Sequence, residues 1–256
     1  MQVAITGADG NVGRQALEAL SEHDVTALTH SESEDIDSVV VDVTDAERVE
    51  EVLAGHDAVV HLAANPSPDA GWEEVREVNV DGAYNVFEAC VETDLDRIVF
   101  ASSNHVSHMK NAADPAEPES MVEDPSVVDP DDPPRPDSYY GVSKVAGEAL
   151  GSYYADRHGL EVVNLRIGWL LEGADLAETQ EKDDEHARFA RAMWLSPRDC
   201  RDAIERATTA ELPESPVTVN AISANDDRYL SVTHAIRGIG YRPRDNASEA
   251  LSRSTH

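Results

Sequence analysis

The chain has 256 residues, 41% hydrophobic and 28% charged, and sets 51 Asp and Glu against 20 Lys and Arg for a net charge of −31. A surface of that sign repels nucleic acid and anionic membranes, no stretch approaches the roughly 18 apolar residues of a membrane span, and Cys90 and Cys200 are too few for a disulfide framework and lack metal-ligand spacing, so buried thiols and no metal are expected. The length suits one large α/β domain with a small lobe, and carboxylates spread along the whole chain suit a cytoplasmic protein screened by molar salt, an acidic interaction surface being the alternative.

In chain order, residues 2–6 read as a short apolar strand with no basic leader before it, so no signal peptide is expected. The strand runs into Gly7-Ala8-Asp9-Gly10-Asn11-Val12-Gly13 and a helical stretch over 14–21. Gly-x-x-Gly-x-x-Gly between strand and helix permits a tight turn, lets the backbone approach a pyrophosphate, and sets a helix N-terminus against the anion. Glycines that merely turn the chain are the bland alternative. Strands follow at 24–29, 38–41, 57–61, 97–102 and 161–167, with helices at 46–54, 82–93 and 140–157. That alternation predicts an α/β fold, a doubly wound parallel sheet of Rossmann type over residues 1–168.

Residues 104–138 break the rhythm. The acidic segment 112–137 holds seven prolines between Pro115 and Pro136, which excludes a long helix or a central strand. A surface loop near the pocket mouth is expected, either a solvated excursion or an active-site lid. Beyond it, helices at 185–195, 197–209 and 231–238 and a strand at 217–221 make a small substrate lobe, 169–256, packed as one unit with the first domain.

The most telling residues flank that loop. Tyr140 and Lys144 are i and i+4 on a helix, so both enter one pocket, where the ammonium lowers the phenol's pKa and lets Tyr140 act as a base. Lys144 is one of three lysines, with Lys110 and Lys182, in a chain that otherwise uses arginine. Such a pair also arises by chance on exposed helices. What marks it here is the glycine loop upstream and the Ser103 hydroxyl at the end of the 97–102 strand.

These motifs, with Asp42-Val43, His61-Leu62-Ala63-Ala64, Asn79, Phe100 through His105, Leu165-Arg166-Ile167-Gly168, Ala192 through Ser196 and Ser223-Ala224-Asn225-Asp226, resemble the extended short-chain dehydrogenase/reductases. Over nearly the whole chain the resemblance is to uronate dehydrogenases and to the sugar dehydrogenases of salt-loving archaea, including their glucose-6-phosphate and L-arabinose dehydrogenases. It implies oxidation of a sugar at C1 to a lactone with NADP or NAD. By resemblance, Gly7, Gly10, Asn11, Val12 and Gly13 cradle the pyrophosphate, and Asp42 and Val43 meet the adenine. Leu62, Ala63 and Ala64 line the ribose path, with Asn79 and Ile167 also at the cofactor. Asp42 as a cap for the following helix is the alternative. Tyr140 takes the proton of the anomeric hydroxyl, Ser103 holds that oxygen, and Lys144 depresses the phenol and binds nicotinamide-ribose hydroxyls. Ser67, Asn104 and His105 hydrogen-bond the other sugar hydroxyls, a structural role being the alternative for His105. A homodimer or higher homo-oligomer is expected by resemblance alone.

Two departures bear on specificity. NAD-preferring members place an acidic residue at the end of the second strand. This chain has Thr29-His30 there, which fits a 2′-phosphate better, so NADP is expected with NAD also used; Glu32 and Asp35 could restore NAD binding if the strand ends later. Uronate dehydrogenases carry an arginine five residues before the tryptophan matching Trp194; Phe189 stands there, with Arg188 and Arg191 beside it, and Trp169 replaces a polar residue after Arg-Ile-Gly. Trp169, Arg188 and Phe189 are therefore expected at the substrate, a neutral aldose such as L-arabinose, D-xylose or D-galactose. A uronate or sugar phosphate gripped by Arg188 or Arg191 is the runner-up. A nucleotide-sugar epimerase or dehydratase and a non-catalytic dinucleotide sensor are the alternatives from other classes.

Overall fold

Short apolar runs without a polar face belong inside a covered parallel sheet, and the computed structural model, which describes residues 1–254, places them there. β1 (Gln2–Thr6), β2 (Asp24–Thr29), β3 (Val39–Val40), β4 (Ala58–His61), β5 (Arg97–Ser103) and β6 (Glu161–Ile167) pair in parallel, in the order β3-β2-β1-β4-β5-β6, and every residue of β4 and β5 is buried. The crossovers are α1 (Asn11–Ala19), α2 (Ala46–Leu53), α3 (Trp72–Val75) running through a π-turn at Arg76–Asp81 into α4 (Gly82–Glu92), and α5 (Tyr139–His158). The strand period of two splits the apolar residues between two cores. Val3, Ile5, Val99 and Ala101 pack with Ala16 of α1, whereas Ala4, Ile98 and Phe100 pack with Val49 of α2, Phe87 of α4 and Tyr154 of α5. Because β2 and β4 lie on opposite sides of β1, the strand order reverses there, and the cleft opens at the C-terminal ends of those strands.

α5 starts at a capped end, where the Ser138 hydroxyl accepts from the Gly141 N–H at 3.1 Å, and it stops at Gly159 in the left-handed conformation, φ 73°. A Cβ on Gly147 would sit 2.1 Å from Cζ of Phe100, so glycine lets this helix lie close on β5. That contact sets its first turn, with Tyr140 and Lys144, beside the end of β5 and Ser103.

The remaining chain runs β7 (Trp169–Leu170), α6 (Gly173–Thr179), α7 (Asp184–Met193), β8 (Trp194–Leu195), α8 (Pro197–Thr209), β9 (Val217–Ala221), α9 (Thr233–Gly238) and α10 (Ala247–Ser254). β9 extends the main sheet beside β6, and Ala203, Ile204 and Ala207 of α8 join the core that holds Ala16 of α1. The chain after residue 168 is thus shared between the sheet and the lobe. The lobe proper is the β7–β8 ribbon with α6, α7 and α10, built on Phe189, Met193, Tyr229 and Leu230 and on Leu176, Ala190, Trp194 and Ala247.

The acidic loop is not a solvated excursion. Met121 and Val128 bury with Phe189 and Tyr229, and the Val128 N–H donates to the Tyr229 carbonyl at 2.9 Å, while Glu117, Glu123, Asp124 and Asp131 remain exposed. α1 starts three residues before the expected 14, and residues 194–195, expected in a helix, form β8. The segment 72–81, α6 and α10 form without having been expected. Among the described residues no helix is long and apolar enough to cross a membrane.

Candidate active site

The glycine loop is folded as tightly as its spacing predicts. Gly7 has φ 66°, and a Cβ on Gly13 would lie 2.3 Å from the Gly7 carbonyl oxygen and 2.6 Å from that of Ala8. The N-cap of α1, Gly10, contributes no side-chain cap, and no acidic residue lies in the first turn, so the first N–H groups meet no competing carboxylate from their own helix. The residues present therefore fit a pyrophosphate. Thr6 ties β1 to the exit of β4: its Oγ1 accepts from the N–H groups of Leu62 and Ala63, each at 3.1 Å, and lies 2.8 Å from Nδ1 of His61. Burial, with the nearby Lys144 charge, drives His61 down to about 3, so this imidazole is neutral at any working pH.

The cleft, about 800 Å³, is lined at one end by Gly7, Gly10, Asn11, Val12 and Gly13, then by Thr29, His30, Asp42 and Val43, and along its floor by Leu62, Ala63 and Ala64. Thr29 is 1% exposed, its Oγ1 2.8 Å from the Ser38 hydroxyl. His30 is exposed, with Nε2 3.8 Å from Oδ2 of Asp42. Glu32 and Asp35 are not among the lining residues, and Asp35 lies 3.9 Å from Arg14 instead. Asp42 does not cap α2, since Asp45 does so through the Arg48 N–H at 3.1 Å. Asp42 instead accepts from the N–H and hydroxyl of Thr44, which hold its carboxyl below the ordinary range. Asn79, expected at the cofactor, is 2% exposed and does not line the cleft; it accepts from the Asn65 N–H at 2.7 Å and donates to Ser143 Oγ at 3.1 Å, which secures the Asn65-Pro66 wall to α5.

At the other end Ser103, Tyr140, Lys144, Ile167 and Trp169 converge on the same cleft. Ser103 ends β5, donates to Asn104 Oδ1 at 3.1 Å, and caps the following turn by accepting from the His105 N–H at 3.3 Å. Lys144 is 4% exposed, its ammonium 5.2 Å from the centre of the Phe100 ring and 5.5 Å from that of Tyr140. One turn on, Glu148 is committed elsewhere: it takes both Nε (2.7 Å) and Nη2 (2.8 Å) of Arg166 and the Ser102 hydroxyl at 2.5 Å. Burial accordingly pushes Lys144 down to about 8. The expected depression of the phenol by Lys144 is not found. Burial raises Tyr140 above its ordinary value and the Asp137 carboxylate adds to the rise, while the Ser103 hydroxyl is the group that lowers it.

The sugar-side expectations fare unevenly. Neither Asn104 nor His105 is among the cleft-lining residues: Asn104 is buried and accepts from the Ser103 hydroxyl, while the His105 ring stands edge-on behind Tyr140, which does line the cleft, at 5.3 Å. Phe189 is 2% exposed, its ring 6.2 Å from Trp169 and 4.9 Å from His108, so it supports the wall and does not line the cleft. Arg188 is not at the cleft either: it donates to the Val122 and Glu123 carbonyls, at 3.2 and 2.8 Å, and pins the acidic loop. Arg191 is held by Asp227 at 2.6 Å and Gln180 at 2.7 Å. Ser67 also lies outside the cleft lining, its N–H bonded to Asn65 Oδ1 at 3.2 Å.

Sequence reasoning missed Asp137, whose Oδ2 lies 2.8 Å from Nδ1 of both His105 and His108. These three could share an ion. Separations of 2.8 Å suit shared protons better than the spacing of about 3.4 Å that zinc bond lengths imply between tetrahedral ligands.

The model of the NAD dependent epimerase/dehydratase family matches residues 3–195. An L-arabinose 1-dehydrogenase (NAD(P)(+)) of Haloferax volcanii is 60% identical over 98% of this chain and 99% of its own, and an NAD-dependent glucose-6-phosphate dehydrogenase of the same organism is 37% identical over 96% of this chain and 94% of its own. The uronate dehydrogenase structure from Agrobacterium tumefaciens superposes with a TM-score of 0.79 at 30% identity, over 100% of this chain and 90% of that one. A loop that admits no Cβ at Gly7 or Gly13, opening a cleft that ends on Ser103, Tyr140 and Lys144, and a family match across three quarters of the sequence lead to one conclusion: the chain belongs to the NAD dependent epimerase/dehydratase family.

Proposed function

We propose that the chain oxidises C1 of a neutral aldopyranose, such as L-arabinose, D-xylose or D-galactose, to the lactone in the cytoplasm of a salt-accumulating cell. It is an NAD(P)-dependent sugar dehydrogenase. The observation that carries the neutral-sugar reading is that no arginine lines the cleft among the described residues, Arg188 and Arg191, the candidates for gripping an anion, being both bonded elsewhere. An anionic sugar would meet no free guanidinium there.

A bound dinucleotide would supply the hydride acceptor for C1 and, in its oxidised form, a positive charge that favours the phenolate. Tyr140 takes the proton of the C1 hydroxyl and Ser103 donates to the same oxygen as charge gathers on it. Lys144 supplies the nearby positive charge and hydroxyl-binding donors for the cofactor's ribose. Thr29 and His30, in place of a carboxylate, favour NADP at least as much as NAD. A second copy covers the outer face of α3 to α5, where Trp72, Tyr84, Tyr139 and Tyr153 are exposed.

Growth of reduced-cofactor absorbance in molar KCl, with both dinucleotides against neutral aldoses, glucuronate and glucose 6-phosphate, tests the reading. Turnover confined to the two anions would overturn it.

A further inference from the structure

The Asp137 side chain is 0% exposed and sits where the acidic loop returns to α5, two residues after the Arg135 N–H donates to the Val106 carbonyl at 2.8 Å. Its Oδ1 accepts from the Ser138 hydroxyl at 2.9 Å, and its Oδ2 receives His105 and His108 at 2.8 Å each. An ionised carboxylate only accepts, so both imidazoles carry a proton on Nδ1, and in the neutral ring Nε2 is left as a lone pair. For His108, whose side chain is 1% exposed, that Nε2 is buried without a partner, its ring edge-on to Phe189. His105 differs. Its side chain is 14% exposed and its ring abuts Tyr140.

Building on the sugar-dehydrogenase reading, we propose that Asp137 is a positioning residue for substrate: it fixes the ring orientation and Nδ1–H tautomer of His105, so that Nε2 accepts from a sugar hydroxyl adjacent to the reacting carbon. His108 is the second donor that holds the carboxylate in place. A hydroxyl donating to a fixed imidazole lone pair gives a directional contact that a freely rotating ring lacks. The neighbouring negative charge strengthens that acceptor.

The test is a double-mutant cycle on kcat, KM and dinucleotide affinity in molar KCl, read with whichever sugar the wild type oxidises fastest. A wild type inactive on neutral aldoses would thus defeat the sugar assignment without touching this one. Asp137→Asn is expected to raise KM for the sugar about tenfold, with kcat within a few-fold and dinucleotide affinity unchanged. In a His105→Ala background the same substitution should change KM less than about twofold. An unchanged KM in the single variant, or an equal rise in both backgrounds, would overturn the proposal, since a merely structural role acts with or without the imidazole. Should Asp137→Asn not fold, His105→Asn keeps a donor for Asp137 and removes the Nε2 acceptor. A tenfold KM at an unchanged melting temperature supports the assignment, and an unchanged KM sinks it.

Discussion

Replacing Lys144 with methionine should stabilise the fold while abolishing turnover. Lys144 is 4% exposed, no carboxylate among the described residues pairs with its ammonium, and burial takes it from 10.5 to about 8. That displacement corresponds to about 3 kcal/mol of stability lost at pH 7, where the side chain is charged in both the folded and unfolded chain. Methionine fills a similar volume without that cost. The ammonium's contacts with the Phe100 and Tyr140 rings return about 1 kcal/mol, leaving a net gain of about 2 kcal/mol, or about 4–8 °C in Tm for a domain of this size. The sign with pH follows from linkage. The folded pKa is depressed, so the penalty is full below about 8 and fades as pH rises toward 10.5, where the unfolded chain loses its proton too. Urea unfolding at constant molar KCl, at pH 7 and at pH 10, measures both numbers. A variant less stable than wild type at pH 7, or a stability difference that ignores pH, would show that the ammonium is not desolvated as described.

Tyr140→Phe should keep dinucleotide binding and lose nearly all of kcat, because it deletes the hydroxyl and leaves the ring against His105; a variant retaining wild-type kcat would place the base elsewhere. Melting temperature and activity should both rise as KCl rises into the molar range, where the Debye length falls to about 3 Å, since a net charge of −31 repels itself; a melting temperature indifferent to salt would refute the screening account. Thr29→Asp should shift the NADP-to-NAD ratio of kcat/KM toward NAD by about tenfold or more, through repulsion of a 2′-phosphate. An unmoved ratio would show that the 2′ position is read by other residues.

The sheet was legible because its signals are local. β1, β2, β6, α8 and β9 fall on the expected residues, and the other strands of the main sheet, β3, β4 and β5, lie within one residue of them, since apolar runs of this length have few alternatives between turns. The glycine loop and the Tyr140–Lys144 pair were legible for the same reason: their chemistry is written at spacings of three and four. Asp137 was not, because its histidines lie 29 and 32 positions away and nothing local separates it from the other acidic residues of its loop. Glu148 falls between these cases. It stands four residues after Lys144 on the same helix face, so spacing alone could have paired them. Only the fold shows that Arg166 and Ser102 take it first. Arg188 is the converse, placed beside the substrate by alignment of a motif and claimed by two loop carbonyls across 65 and 66 residues of chain.

A chain with this much negative charge spends its carboxylates differently inside and out. Exposed ones repel one another and need salt, whereas each buried one is saturated by donors and fixes a neighbour. Asp199, 0% exposed, takes the Ser223 hydroxyl at 2.8 Å and the Arg244 and Asp245 N–H groups at 3.1 and 2.9 Å, which docks the segment leading into α10. Glu148 joins α5 to β6 through Arg166, and Asp137 closes the acidic loop on two histidines. With Glu148 so engaged, the ammonium of Lys144 keeps its charge uncompensated beside the Tyr140 ring, in the wall of the cleft. A carboxylate free to swing onto Lys144 would offset the desolvation that burial imposes on its ammonium. Arg166 therefore holds away from Lys144 the one acid that stands a helical turn from it.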